Sequence, residues 1–494
     1  MVRANPHLLE INARLWINRL RKKYSQNVTF ATIPEEELLI IKHLGFDAVW
    51  LMGVWQTSPA SRKKAREIEG ITEAGKKACI DFSMDDIGGS PYAIYDYKLD
   101  KNLGGEGEIR TLKERFNALN ISFFLDFVAN HFSIDSPHLK EDPDCFVLCG
   151  PGTAAQNQDL FALLPEMQKF VAYGRDPNFP PWTDTAQLNY FNPKTIDKML
   201  KIMSRISELC DGFRCDMVML TLPDVYASTW GWVLEKEGSA DCGRNLWKEG
   251  VDAIKRKNPD FMFLAEVYWG LEWRLQQMGF DYTYDKIIYD RLKFMSPMDI
   301  RGHLRAERIY QKRSARFIDN HDEEPSVSSF GREKSQAAAV VIATIKGLRF
   351  FYDLQIDGVE RKIPIQLERG EFAVNIEVRK FYEKLLKIVD HPAFHGGEWH
   401  LVDAYSAFQN DKTYYNILSW RWTQRRTLKI VVVNYSSIVS SALLDVKIRS
   451  QNDEIILFEE MSDRFISFKK EDISRGLKVE NMQPYSFLIY DFAF

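Results

Sequence analysis

Apolar residues follow a pattern along most of the chain that alternates between the helical and the strand period. Residues 34–45 begin with a proline and three glutamates and end with a glycine, as helices often do, and the apolar stretch FDAVWLM follows directly. The same succession of a helix and a short apolar run returns at 108–127, 195–216 and 247–266. A repeated helix and buried strand indicates a parallel sheet with helical crossovers.

Eight apolar runs are candidates for strands, and eight helix–strand units favour a closed (β/α)8 TIM barrel over an open sheet. The predicted strands lie near residues 10–17, 46–52, 121–127, 211–216, 261–266, 279–283, 315–320 and 348–352.

Two regions depart from this rhythm. Residues 132–186 are rich in Pro, Asp, Gly and Asn, which indicates an irregular insertion after the third strand. From about residue 393 the chain reads as strands without intervening helices, which is typical of a β-sandwich. The predicted organisation is an α/β barrel at 1–131 and 187–392, an inserted domain at 132–186 and a C-terminal all-β domain at 393–494.

Composition and charge exclude several classes of protein. The 494 residues are 45% hydrophobic, enough for a large core and more than one domain. The net charge is −4 with both signs scattered, so no basic block predicts a nucleic-acid partner. No apolar run approaches the roughly 20 residues of a membrane span, and the first residues lack the core of a signal peptide. Six irregularly spaced cysteines do not suggest zinc and are read as reduced thiols, so a cytoplasmic location is expected.

Acidic residues end four of the predicted strands: Asp126, Asp216, Glu266 and the pair Asp319 and Asp322. The carboxyl ends of barrel strands form one face, so these acids are expected to meet there. An aspartate after a strand is more often a helix cap or a turn residue when it occurs alone. Four on one face favour an active site over four separate caps.

The neighbours of two of these acids suggest different protonation states. Arg214 and Asp216 are two apart in a strand and share a face, so the arginine can keep the aspartate ionised; a structural ion pair is the alternative. Glu266 is followed by Val267, Tyr268 and Trp269, an apolar setting that favours a protonated acid. An ionised carboxylate beside a protonated one is the arrangement of a retaining glycosidase.

Four motifs in order then carry a resemblance to a known family. They are DFVANH (126–131), GFRCD (212–216), FLAEV (263–267) and FIDNHD (317–322), with weaker matches at 45–51, 90–97, 186–193 and 347–358. The chain resembles the α-amylase family of glycoside hydrolases over nearly its whole length, including the insertion and the β-sandwich.

The resemblance implies a role for each matching residue. Asp216 would be the nucleophile, Glu266 the acid/base and Asp322 a third carboxylate that holds sugar hydroxyls. A retaining mechanism of this kind places the nucleophile and acid/base carboxyls about 5–5.5 Å apart. The residues implied in substrate binding are Tyr92 as an aromatic platform, Arg214 as the partner of Asp216, and His131 and His321 as hydrogen-bond donors. A core role for the tyrosine and structural roles for the histidines are the alternatives.

Two departures from the family pattern bear on the substrate. Met219 and Leu220 occupy positions where many members carry Lys-His, which predicts a less polar leaving-group side. Ala93 follows the platform tyrosine where exo-acting members carry an aspartate, which argues for a cleft that spans several glucosyl units.

Metal binding is not strongly indicated. Gln187 and Asn189 stand where family members often carry acids that bind calcium together with the residue matching Asn130, and hard cations prefer carboxylates. No cofactor is therefore expected to be required, with calcium kept as an alternative.

The sequence thus predicts a retaining α-glycosidase that hydrolyses α-glucan oligosaccharides. A transglycosidase or phosphorylase on the same fold is the first alternative, since the acceptor is not specified by the carboxylates. A non-catalytic carbohydrate-binding protein is the second, although such a protein would normally have lost one of the acids. The α-1,4 or α-1,6 linkage, the chain length of the substrate and the oligomeric state stay open.

Overall fold

Eight parallel strands close into a barrel in the computed structural model, which describes residues 2–448 and 452–493. The strands neighbour one another in the order β1-β8-β7-β6-β5-β4-β3-β2, all in parallel register. They are β1 His7–Asn12, β2 Ala48–Met52, β3 Ser122–Val128, β4 Gly212–Asp216, β5 Met262–Ala265, β6 Tyr282–Tyr284, β7 Ser314–Arg316 and β8 Leu348–Tyr352. The predicted TIM barrel is confirmed.

Helices connect the successive barrel strands, and shorter ones lie in the insertion and among the C-terminal strands. The helices of the described chain are Ala13–Tyr24, Glu35–His43, Pro59–Glu67, Glu69–Ala78, Glu106–Ala118, Pro137–Glu141, Pro151–Ala154, Pro193–Ile206, Pro223–Lys236, Leu246–Lys257, Glu272–Gln277, Lys286–Phe294, Pro297–Leu304, Arg308–Lys312, Ser326–Phe330, Arg332–Thr344, Asp353–Ile356, Ile376–Val389, Pro392–Gly396 and Lys470–Arg475. Within the described part of the chain, no helix combines the length and apolar character needed to cross a bilayer.

The first strand was predicted at 10–17, and this placement is wrong. β1 ends at Asn12, whose side chain accepts hydrogen bonds from the backbone N–H groups of Arg14 and Leu15 and so caps the helix that follows. The apolar run continues from strand into helix without a break, so periodicity alone did not reveal the boundary. The shift places Glu10 inside the barrel strand.

The insertion after β3 forms small antiparallel sheets beside the carboxyl ends of the barrel strands. One pairs His131–Ser133 with Thr185–Gln187, and another contains Leu148–Cys149, Lys169–Ala172 and Phe161–Leu164. A separate pair, Trp55–Thr57 with Ile94–Leu99, follows β2.

The C-terminal region is antiparallel β-structure. Its six-stranded sheet runs in the order Glu398–Leu401, Ile417–Gln424, Thr427–Asn434, Phe487–Ala493, Glu454–Glu459 and Arg464–Lys469. A second sheet holds Ala404–Tyr405, Ser440–Leu444 and Leu477–Met482. The side chain of Trp422 reaches back to the barrel and donates to the carbonyl of Thr344 at 2.6 Å.

Two buried histidines join the amino end of the barrel to the segment before these sheets. The rings of His7 and His395 lie 4.9 Å apart, close to Asp47. Arg3 binds Asp47 at 2.6 Å, and Arg349 approaches His7 Nε2 at 3.1 Å. Two guanidinium groups beside the cluster would repel a cation, so the arrangement is suited to neutral histidines rather than to a metal.

Candidate active site

A cavity of about 850 Å³ opens at the carboxyl ends of the barrel strands. Five of the residues predicted from sequence line it: Tyr92, His131, Asp216, Glu266 and Asp322. The inserted segment supplies one wall through residues 176–185, including Phe179 and Trp182. The predicted residues Arg214 and His321 lie behind this lining and are buried.

Arg214 holds two of the acids side by side on the cavity floor. Its Nη1 contacts Asp216 Oδ1 at 2.7 Å, and its Nη2 contacts Glu266 Oε2 at 2.7 Å. Asp126 lies on the inner side, 3.6 Å from Nη1. The guanidinium is fully buried and packs over the ring of Trp50, 4.9 Å from its centroid. One rigid cation therefore fixes the relative position of the two candidate catalytic carboxyls.

Glu266 receives two further donors. The hydroxyl of Tyr268 donates to Oε1 at 2.8 Å, and the backbone N–H of Met217 donates to Oε2 at 2.9 Å. The Tyr268 hydroxyl, the Met217 N–H and the Arg214 guanidinium thus all contact the Glu266 carboxyl. These contacts fix the position of both oxygens of the Glu266 carboxyl.

Asp216 has the opposite surroundings. Burial and the charge of Glu266 raise the pKa of Asp216 to about 8, against the opposing effect of Arg214. The sequence predicts an ionised Asp216, whereas the raised pKa favours a proton on Asp216 in the free protein. Arg214 contacts both acids, while the Tyr268 hydroxyl and the Met217 N–H contact Glu266 alone, so Asp216 has fewer groups that stabilise its charge.

Asp322 and His321 form a second ion pair at the rim. The Asp322 side chain is 48% exposed, and its Oδ2 lies 3.0 Å from His321 Nε2. Desolvation on the inner side works to raise the pKa of Asp322, but the contact with His321 outweighs it and lowers the pKa below its usual range. His321 was expected to contact the sugar directly. The structure instead turns it toward Asp322, Tyr92 and Glu10.

Glu10 is the residue behind His321. Its Oε1 lies 2.5 Å from His321 Nδ1, and its side chain is fully buried in β1. Burial works to lower the pKa of His321, but Asp322 and Glu10 raise it well above its ordinary value, so the ring is an imidazolium. On the other side, His321 Nε2 lies 2.8 Å from the hydroxyl of Tyr92, and the two rings stack at 5.3 Å.

His131 is a neutral histidine in the cavity wall. Burial lowers the pKa of His131 to about 4, and the amide of Asn130 lies 3.2 Å from its Nδ1. Its ring packs 5.2 Å from that of Trp182 in the inserted segment. The two candidate histidines therefore differ in charge, one neutral and one cationic.

Met219 and Leu220 do not form the leaving-group side, contrary to the prediction. Both are buried in a short helical turn, Val218–Thr221, and neither lines the cavity. The chain adopts a left-handed conformation at Met217 (φ 41°), and this turns the following residues inward. Met217 itself lines the cavity in their place.

Gln187 joins the inserted segment to the barrel at the position considered for calcium. Its amide nitrogen donates to the carbonyl of Asn130 at 2.9 Å, to Asn130 Oδ1 at 3.1 Å and to the carbonyl of Leu188 at 3.3 Å. Asn189 Oδ1 instead accepts from the backbone of Phe191. Three oxygens thus converge on the amide nitrogen of Gln187, which occupies the point considered for calcium.

Sequence reasoning missed functional contacts from three residues. Glu10 was outside the site prediction because β1 was placed too late, although a lone charge within the apolar run HLLEIN was a usable signal. Tyr268 was read only as an apolar neighbour, whereas its hydroxyl binds Glu266. Met217 contributes a backbone donor, which no side-chain pattern reveals.

A family model and a curated protein each match part of this chain. Residues 35–178 match the family model described as the alpha amylase catalytic domain. The α-amylase MalA of Haloarcula japonica is 21% identical over 326 residues, which cover 64% of this chain and 40% of MalA. The chain therefore spans less than half the length of that relative.

Solved structures share the fold over the full chain. The noncanonic maltogenic α-amylase AmyB from Thermotoga neapolitana is 21% identical with a TM-score of 0.68, over 99% of both chains. The α-amylase from Geobacillus thermoleovorans, solved in complex with acarbose, is 16% identical with a TM-score of 0.67, over 100% of this chain and 99% of the other.

Proposed function

We propose, from the match of residues 35–178 to the alpha amylase catalytic domain and from the geometry of the cavity, that the protein is a retaining α-glycosidase acting on α-glucan oligosaccharides. The observation that carries the proposal is the single buried guanidinium of Arg214, which contacts both Asp216 and Glu266 on the floor of an open cavity. Two carboxyls fixed side by side, with a third at the rim, are the parts that a double displacement at a sugar carbon requires.

The reaction proceeds in two balanced steps. In the first, an Asp216 carboxylate oxygen forms a bond to the anomeric carbon while the glycosidic C–O bond breaks and its oxygen takes the proton of Glu266. In the second, water attacks the same carbon, its proton passes to Glu266 and the bond to Asp216 breaks. Two inversions leave the α configuration unchanged.

Substrate binding has to move one proton for this cycle to begin. In the free protein the proton of the pair is favoured on Asp216, whose pKa is raised to about 8 by burial and by Glu266. A glycosidic oxygen that approaches Glu266 is a new acceptor for a proton on that side. The developing positive charge at the anomeric carbon favours an ionised Asp216. Binding thereby shifts the proton to the acid that donates it.

The shape of the cavity supports an oligosaccharide rather than a single terminal sugar. The Ala93 position carries no carboxylate at the cavity wall, and the inserted segment extends that wall through residues 176–185. Both charged and aromatic side chains line the opening, among them Asp322, Trp182 and Trp269. The Geobacillus thermoleovorans enzyme, solved with acarbose, lends support from a protein of the same fold.

A non-catalytic binding protein is disfavoured because Asp216, Glu266 and Asp322 all line the cavity. Catalysis is proposed to need no calcium, since the Gln187 amide makes the contacts that a cation would otherwise make between Asn130 and Leu188.

The test is proton NMR of a maltohexaose digest, read within the first minutes. First-formed products with the α anomeric configuration are expected, and first-formed β products would overturn retention. Chromatography of the same digest separates hydrolysis from transfer, because a transglycosidase forms chains longer than maltohexaose. Phosphate added to parallel digests identifies a phosphorylase through sugar phosphate.

Asp216→Ala should remove nearly all turnover without changing the melting curve much, because burial of this carboxyl is unfavourable and Arg214 keeps its contact with Glu266. Asp285→Asn is the matched control: Asp285 is a buried aspartate at the end of β6 that does not line the cavity. Normal turnover by the Asp216 variant would remove it as the nucleophile.

A further inference from the structure

Two residues in the segments that follow β4 and β5 have an uncommon backbone conformation. Met217, after β4, has φ 41°, and Trp269, three residues after Glu266, has φ 65°. The left-handed region is unfavourable for side chains larger than glycine, asparagine or aspartate. Residues held this way cluster at functional sites, where surrounding contacts enforce them. Both residues line the cavity that holds Asp216.

The conformation of Met217 has a local explanation, since it directs the backbone N–H to Glu266. The conformation of Trp269 does not serve a hydrogen bond of that kind. Trp269 and Gly270 (φ 73°) form the centre of a tight turn closed by the N–H of Leu271 on the carbonyl of Tyr268, at 3.3 Å. Such a turn favours glycine, asparagine or aspartate at both central positions. Tryptophan therefore occupies a turn position whose backbone conformation disfavours a large side chain.

The Trp269 side chain is 42% exposed although indole is among the most apolar groups. The turn thus does not place the ring in a core but holds it at the cavity mouth. A half-exposed aromatic face beside a sugar site is suited to the apolar C–H face of a pyranose ring, while the sugar hydroxyls stay in contact with water or polar groups.

The position in the chain assigns the ring to one side of the reacting bond. Tyr268 donates to Glu266 Oε1, and Trp269 is the next residue. Glu266 protonates the leaving-group oxygen in the proposed mechanism, so the segment that follows it borders the leaving-group sugar. Met217, which donates to the other oxygen of Glu266, adds an apolar side chain to the same region.

We propose that Trp269 is the stacking platform for the glucosyl unit on the leaving-group side and thereby determines specificity for oligosaccharides. This inference rests on the proposed function. The sequence predicts Met219 and Leu220 as the apolar leaving-group side. In the present proposal Met217 and Trp269, which line the cavity, take that place. A sugar there is held by ring stacking, so turnover depends on a leaving group that presents a pyranose face.

Two substrates separate this role from the chemistry. Maltohexaose places sugar on both sides of the broken bond, whereas α-maltosyl fluoride releases fluoride and places no sugar on the leaving-group side. Trp269→Ala should lower the ratio of kcat/KM for maltohexaose to kcat/KM for α-maltosyl fluoride about tenfold, a typical effect of losing one aromatic–sugar contact. Trp269→Tyr should restore most of the ratio.

Trp273→Ala is the matched control. Trp273 is also 42% exposed and lies four residues along the chain, but it lines a separate surface groove with Tyr310. This variant should keep the wild-type ratio. An unchanged ratio in Trp269→Ala, or an equal change in Trp273→Ala, would overturn the platform.

A binding measurement keeps this inference separable from the proposed function. Tryptophan fluorescence of the Asp216→Ala protein should change on titration with maltohexaose, and that change should be strongly reduced when Trp269→Ala is added. Wild-type protein that turns over neither substrate, with the fluorescence change intact, would refute the proposed hydrolase and support the platform. If Trp269→Ala changes neither the kcat/KM ratio nor the fluorescence response, the platform is refuted and the proposed hydrolase is unaffected.

Discussion

The pair formed by Glu10 and His321 gives the sharpest test of the electrostatics behind the site. Glu10 is fully buried and lies 2.5 Å from His321 Nδ1, and the ring of Trp50 meets the imidazole edge-on at 5.6 Å. The other ring nitrogen lies 2.8 Å from the Tyr92 hydroxyl and 3.0 Å from Asp322. Glu10 therefore acts through His321 on two residues that line the cavity.

Glu10→Gln changes the charge and keeps the shape. A hydrogen bond to a charged group contributes about 1.5–3 kcal/mol and a neutral one about 0.5–1.5 kcal/mol, so the exchange removes roughly 1–1.5 kcal/mol from the imidazolium. That corresponds to about one unit of pKa. Glu10 is one of the causes that raise the pKa of His321, so the variant should lower it. The protonated ring is then lost at a lower pH.

The assay is the pH profile of kcat/KM on maltohexaose. The alkaline limb should move about one unit toward lower pH in Glu10→Gln, because the imidazolium orients Tyr92 and Asp322. Burial raises the pKa of Glu10 itself, which means that its charge is unfavourable in the fold. The glutamine variant should therefore keep a melting temperature close to that of the wild type.

Asp285→Asn is the control for this experiment. Asp285 is a buried carboxyl that pairs with His303 at 2.8 Å, outside the cavity. It should alter stability without moving the alkaline limb. A limb that stays in place in folded Glu10→Gln, or that moves as far in the control, would refute the reasoning.

Four further outcomes follow from the structure. Glu266→Gln should slow maltohexaose far more than an aryl maltoside with a good leaving group, because only the poor leaving group needs the proton; equal losses in steady-state kinetics would argue against an acid role. Gln187→Leu should lower the free energy of unfolding by about 1–3 kcal/mol, since it removes the amide that donates to the buried Asn130 Oδ1. A chelator should leave the wild-type melting curve unchanged, and a clear fall would contradict the calcium-free proposal. Burial lowers the pKa of His395 from 6.5 to about 3. The stability contributed by the neutral ring is therefore fully present above pH 6.5 and is lost as the pH falls toward the pKa of the folded state. Near pH 5 the loss is about 2 kcal/mol, and urea titrations of His395→Asn should show a weaker acid dependence.

The barrel and the strand-end acids were predictable because both depend on periodicity. Each βα unit repeats a helical and a strand pattern, and the parallel direction of the strands brings Asp216, Glu266 and Asp322 to one face. Glu10 was missed because the cap at Asn12 ends the strand inside a continuous apolar run. Local hydrogen bonding, rather than hydrophobicity, determines that boundary.

The apolar side of the cavity could not be predicted in the same way. Met217 adopts a positive φ that its residue type does not suggest, and this single angle directs Met219 and Leu220 into the core. The protonation of the acids was missed for a related reason. A sequence shows that Arg214 neighbours Asp216, but not that the same guanidinium also contacts Glu266.

In the proposed reaction, positive charge develops on a sugar, and the contacts of Arg214 with several acids bear on how the site would stabilise it. Three carboxyls, Asp126, Asp216 and Glu266, surround a guanidinium that has no exposed surface. Burial raises the pKa of Asp126 to about 6 and, with the charge of Glu266, that of Asp216 to about 8, so the acids outnumber the positive charge available to them. A cluster with such an excess of acids stabilises a positive charge that appears at the anomeric carbon more than it stabilises the neutral substrate. Arg214 therefore lowers the cost of burying these three carboxyls in the free protein, but its single positive charge does not balance all of them. Positive charge at the anomeric carbon in the proposed transition state completes that balance.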